Sequence, residues 1–197
     1  MAKGQQAQAA EAYERAAGLF LLQGQSDSRL NSMCTQAVAL STLGPAEQRR
    51  ADEIKRQVLE LSQTTRSPLV LINISWLFDR SENPETALQL AERAVALAEH
   101  SQQASLSALA WNNVGVFQQK LGHLPEAETA YQNAIRHAQN TNDVRTLALA
   151  LGNLAELKES VPLIEEVILL LQNAGQSDLV AYFEEQRQAF MGRSGGA

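Results

Sequence analysis

Asn73, Asn113 and Asn153 recur forty residues apart, and each precedes an aliphatic residue and then a small one: Ile74-Ser75, Val114-Gly115 and Leu154-Ala155. A fixed period of this length means one supersecondary unit stacked on copies of itself, and a polar residue held at one phase of that unit is expected to form a row along one face.

A second punctuation keeps the same beat. Pro45, Pro84, Pro125 and Pro162 are spaced 39, 41 and 37 residues apart, and Pro68 stands between the first two. Proline is tolerated at the start of a helix, where its missing N–H would have no partner and its fixed φ suits the first turn. Ser67 and Asn83 precede two of these prolines as good N-caps. Between the prolines the apolar residues follow helical spacing, and no stretch alternates in the manner of a strand. The pattern predicts helices over about 5–23, 27–43, 45–63, 67–80, 84–100, 104–121, 124–140, 143–159, 162–173 and 176–191. The fold class expected is all-α, an α-solenoid of antiparallel helix pairs.

Composition agrees and removes several functions. Apolar residues make up 45 % of the chain and charged residues 19 %, with a net charge of −6. Such a chain lacks the basic footprint of a protein that neutralises phosphates, so nucleic acid is not an expected partner. The one cysteine, Cys34, cannot form an internal disulfide and reads as a small buried hydrophobe. The N-terminus carries no signal-peptide core, and the longest apolar runs are far short of a membrane span, so a cytoplasmic protein without membrane attachment is expected. His100, His123 and His137 fit no metal-binding spacing, and no phosphate-binding glycine loop occurs, so neither a cofactor nor an enzymatic activity is expected. The basic cluster Arg49, Arg50, Lys55 and Arg56 is broken by Asp52 and Glu53, which reads as intrahelical ion pairing.

The segment from Ala108 to Thr141 closely resembles the tetratricopeptide repeat. Trp111, Val114, Gly115, Gly122, Ala127, Tyr131 and Ala134 fall on that family's large, aliphatic, small, glycine, alanine, aromatic and alanine positions. The preceding copy keeps Leu71, Ile74, Ser75, Ala87 and Ala94, the following one Leu151, Leu154, Ala155 and Ala174, and Ala9, Tyr13 and Ala16 look like the second helix of a copy without its first. The forty-residue period, longer than the family's basic one, is similar to repeats in kinesin light chains and in bacterial sensor proteins. The resemblance implies one repeat domain over 1–191. Its repeats fall at about 27–63, 67–100, 104–141 and 143–174, with a half repeat at 5–23, a capping helix at 176–191 and a flexible tail at 192–197.

It also implies where a partner would lie. The family lines a concave groove with one face of each first helix, which here carries Asn73, Trp76 and Arg80, then Asn112, Asn113, Val116, Gln119 and Lys120, then Asn153 and Glu156. A primary amide offers an acceptor and two donors to a peptide backbone. Helices about 8–10 Å apart, set against a strand rise of about 3.3 Å, would place one asparagine at about every third peptide residue. Three such bonds at about 0.5–1.5 kcal/mol each do not offset an association cost of about 4 kcal/mol or more, so an anchor is needed, and Trp76 is the candidate. The implied function is a protein-interaction scaffold holding a basic or polar peptide segment. The alternatives are a sensor arm for a small signal or peptide and a self-assembling repeat, and the apolar C-terminal helices suggest a homodimer.

Overall fold

The computed structural model describes residues 2–80 and 83–194. Ten helices account for nearly all of them: α1 Ala2–Leu22, α2 Ser26–Ser41, α3 Pro45–Ser62, α4 Pro68–Asp79, α5 Pro84–His100, α6 Ala104–Lys120, α7 Leu124–Thr141, α8 Val144–Leu157, α9 Val161–Asn173 and α10 Ser177–Ser194. No strand occurs among the described residues, and no helix there is long and apolar enough to cross a membrane. Every proline takes the first or second position of a helix. Ser67 Oγ accepts the Val70 N–H at 3.4 Å and Asn83 Oδ1 accepts the Thr86 N–H at 3.1 Å, so both caps satisfy an otherwise orphaned donor. Of the tail expected over 192–197, residues 192–194 are helical, because α10 continues through Ser194; residues 195–197 lie outside those described.

Six helix exits, those of α1 and of α5 through α9, share one device. At Gly24, Gln102, Gly122, Asn142, Glu159 and Gly175 the backbone turns to positive φ. The next N–H then reaches five residues back, as in Gln103 to Ala98 O and His123 to Gln118 O, both at 2.9 Å. This pattern satisfies the carbonyls that the last helical turn leaves open.

Contacts divide the chain into two compact units, Met1–Leu97 and Ala98–Ala197, with the boundary inside α5. In the first unit α2 packs against α1, α3 and α4, burying Leu30, Met33, Ala37 and Leu40 of α2 with Leu71, Ile74 and Leu77 of α4. Within the charge cluster on α3, Lys55 pairs with Asp52 at 3.0 Å and Arg56 with Glu53 inside the helix as expected, whereas Arg50 departs from that expectation and reaches Glu14 of α1 at 3.4 Å. Arg93 of α5 donates to the Ser62 carbonyl at 3.2 Å, placing a cation at the C-terminal end of α3.

In the second unit α6 packs most extensively against α7. The reason is steric: a Cβ on Gly115 would stand 2.4 Å from the Tyr131 ring, and one on Gly152 would stand 2.3 Å from Phe183. Glycine lets a ring lie flat on a helix backbone, and Tyr131 is 1 % exposed as a result. Further along, Ile164, Val167, Ile168 and Leu171 of α9 are buried with Phe183 and Phe190 of α10, so the final helix covers the apolar α9.

These glycines generate opposite expectations. Gly115→Ala should lower stability despite gaining helix propensity of about 1 kcal/mol, since overpacking costs about 1–3 kcal/mol. Gly18→Ala, where a Cβ meets nothing within 4 Å, should raise stability by about 0.5–1 kcal/mol. Urea melts of the two variants check both signs.

Candidate functional site

In the first unit, Asn73, Trp76 and Arg80 lie one helical turn apart along α4 and its C-cap. They line one cleft of about 390 Å³ together with Asn31, Cys34, Thr35, Val38 and Leu77. Trp76 is half-buried there, and Asn73 and Arg80 are exposed. A second depression of about 800 Å³ shares Val38, Leu77 and Arg80 with the first and adds Gln48, Asp52 and Lys55 of α3. The Lys55 ammonium and the Gln48 amide beside Asp52 hold its carboxyl below the ordinary range, so an anion is fixed at that end.

The amides meet each other. Asn73 Nδ2 donates to Asn31 Oδ1 at 3.1 Å, linking α4 to α2. In the second unit Asn153 Nδ2 donates to Asn112 Oδ1 at 2.9 Å, linking α8 to α6. Each pair joins helices two places apart in the chain, and each amide keeps further donor or acceptor capacity.

Asn113 departs from the expected row. It is 1 % exposed, and both its amide atoms are buried without a hydrogen-bond partner. One residue along a helix is a rotation of about 100°, and here that step separates Asn112, which meets Asn153, from Asn113, which turns into the packed interior. Other expected residues of this unit also have structural duties. Gln119 accepts the Tyr131 hydroxyl at 2.7 Å, and Val116 packs on the Ala127, Tyr131 and Leu154 cluster. Burial, with the Glu156 charge adding to it, pushes the Tyr131 hydroxyl above its ordinary pKa. Lys120 and Glu156 are exposed, while Asn112 is buried and Asn153 half-buried. Glu159, at the end of the helix expected over about 143–159, lies beyond α8, which ends at Leu157.

Asn31 is a residue that the forty-residue period misses, since it stands 42 positions before Asn73. No spacing signal in the sequence marks it. Trp111, which the repeat pattern reads as packing alone, also donates its indole N–H to Glu99 at 2.9 Å. Glu99 lies 3.5 Å from the His137 ring nitrogen.

Comparisons with known proteins bear on this geometry. A solved structure of BtubC (BKLC) from P. vanneervenii superposes with a TM-score of 0.68 at 16 % identity, covering 100 % of this chain and 94 % of that one. A kinesin light chain with nearly identical TPR-like repeats from Podosopora anserina superposes at 0.57 with 17 % identity, covering 87 % and 99 % of the two chains. The chain has a tetratricopeptide-type repeat fold. Residues 99–161 also match the family model of anaphase-promoting complex subunit 5. No curated protein matches the chain.

Two measurements follow from the site. A double-mutant cycle on Asn112→Ala and Asn153→Ala should return a coupling of about 0.5–1.5 kcal/mol, read by chemical denaturation, and zero coupling would remove the amide link. Burial pushes the Cys34 thiol up to about 12 from 9.0. A group whose folded pKa is raised contributes fully below its unfolded value, so this contribution should hold below pH 9 and fall between pH 9 and 12, by about 1.4 kcal/mol per pH unit. Tyr131 adds a loss of the same sign at higher pH. Cys34→Ala should flatten the Cys34 part of that decline in denaturant melts recorded across the interval.

Proposed function

We propose that the chain is a protein-interaction module and that the cleft on α2 and α4 holds an extended segment of a partner protein. Helical repeats of this type generally mediate protein–protein interaction, and the structural neighbours share the repeat. The observation that carries the finer reading is the meeting of Trp76 with the Asn31–Asn73 amide pair in one cleft of about 390 Å³.

The arrangement suits a polypeptide better than a rigid small molecule. Asn31 and Asn73 orient one another, so the donors and acceptors they retain are held in place before a peptide arrives, which reduces the ordering cost of binding. Trp76 supplies apolar area with an N–H at its edge, the combination that anchors an interface. Arg80 stands at the far end without an ion pair among the described residues, and the second depression beyond it gives the segment a polar continuation toward Asp52 and Lys55. The second unit offers the amides of Asn112 and Asn153 in the same relation, with Glu156 exposed nearby in sequence.

Peptides retained from a cell extract by the full chain and identified by mass spectrometry supply the probe. A synthetic copy of a captured segment should then bind at least about tenfold more weakly to Trp76→Ala, since truncating an interface anchor costs about 2 kcal/mol or more. Asn73→Ala should cost less. Equal affinity of wild type and Trp76→Ala, with both proteins folded by circular dichroism, would remove the cleft as the site.

A further inference from the structure

Away from the Trp76 cleft, the first unit holds a pocket of about 310 Å³ where the α1–α2 turn meets the α3–α4 turn. It shares no residue with that cleft. Its walls divide by chemistry. Phe20, Leu21, Leu30 and Leu61 form an apolar floor drawn from α1, α2 and α3, while Arg29 and Arg66 stand on the lining from α2 and from the link before α4. The volume lies at the lower end of the range that small-molecule sites occupy.

The charges on this lining are unbalanced. Neither Arg29 nor Arg66 makes an ion pair within 4 Å among the described residues, whereas Arg15, Arg50 and Arg56 each do. The lining has one carboxylate, Asp27, and its Oδ1 already accepts the Thr65 hydroxyl at 2.8 Å. That bond ties the N-terminal turn of α2 to the α3–α4 link, so both walls of the pocket are held together. Two arginines on the lining of a partly apolar hollow, in a chain of net charge −6, offer a local site for an anion with an apolar body. A guanidinium matches a carboxylate in a two-pronged geometry, and the apolar floor favours a tail over a bare ion.

We propose that this pocket binds a small amphiphilic carboxylate, with the head group on Arg29 and Arg66 and the tail on Phe20, Leu30 and Leu61. The site is separate from peptide binding at Trp76 and stands whether or not that reading holds.

Octanoate is the probe, titrated into the full chain by calorimetry at low ionic strength, with octanol and acetate as comparators that lack the charge or the tail. Saturable octanoate binding is expected, with each comparator at least tenfold weaker. Arg29→Gln combined with Arg66→Gln should weaken octanoate at least tenfold and leave octanol unchanged, whereas Trp76→Ala should leave octanoate unchanged. Absent saturation, octanol binding as tight as octanoate, an unaffected double arginine variant, or loss through Trp76→Ala would each overturn the assignment. Should the double variant fail to fold, added salt on the wild type decides instead: octanoate binding must weaken while octanol binding does not, and salt-insensitive octanoate binding overturns the proposal.

Discussion

A ring pressed onto a backbone that has no side chain beneath it governs how these helices pack. Tyr131 on Gly115 and Phe183 on Gly152 bring neighbouring helices closer than any Cβ would permit, and alanines at 127, 130, 134 and 138 continue the close approach along α7. Attraction between atoms falls away quickly with separation, so a gap of even part of an ångström forfeits much of the contact. The spacing of the helices therefore rests on the smallest residues, and the largest ones fill what those leave.

That logic explains why the architecture could be read from the chain. Small and large residues alternate at fixed phases, prolines mark helix starts, and the two side-chain caps at Ser67 and Asn83 occupy the places their chemistry suits. Helix existence followed from periodicity, and the ends moved by a few residues because fraying turns and left-handed exits are local matters. The α8 helix shows it: positive φ at Glu159 ends the helical register early, and nothing about a glutamate announces that conformation.

The candidate site was less legible, for a geometric reason. A repeat period locates a residue along the unit but tolerates an error of one position, and one position swings a helical side chain from the open face into the core. Asn112 and Asn113 are chemically identical, so nothing in their composition says which of them meets Asn153. The buried Asn113 amide carries a desolvation cost of about 1–3 kcal/mol without a compensating bond, a burden that pattern reasoning does not anticipate. The α4 residues Asn73 and Trp76 and the C-cap residue Arg80 line one cleft, since a continuous helical turn joins them. The amides also bond to each other across helices, a use that their spacing implies as readily as it implies a ligand.

Among the described residues, helices pack on those one or two places apart in the chain. Cooperativity in such a chain is short in range: each helix draws its stability from immediate neighbours. α10 packs on α9 and, through Phe183, on α8, so opening this terminal layer leaves the α6–α7 interior intact. Amide hydrogens of the second unit should accordingly exchange in a gradient, quickest along α10 and slowest where Tyr131 lies on Gly115, so that this unit breathes layer by layer.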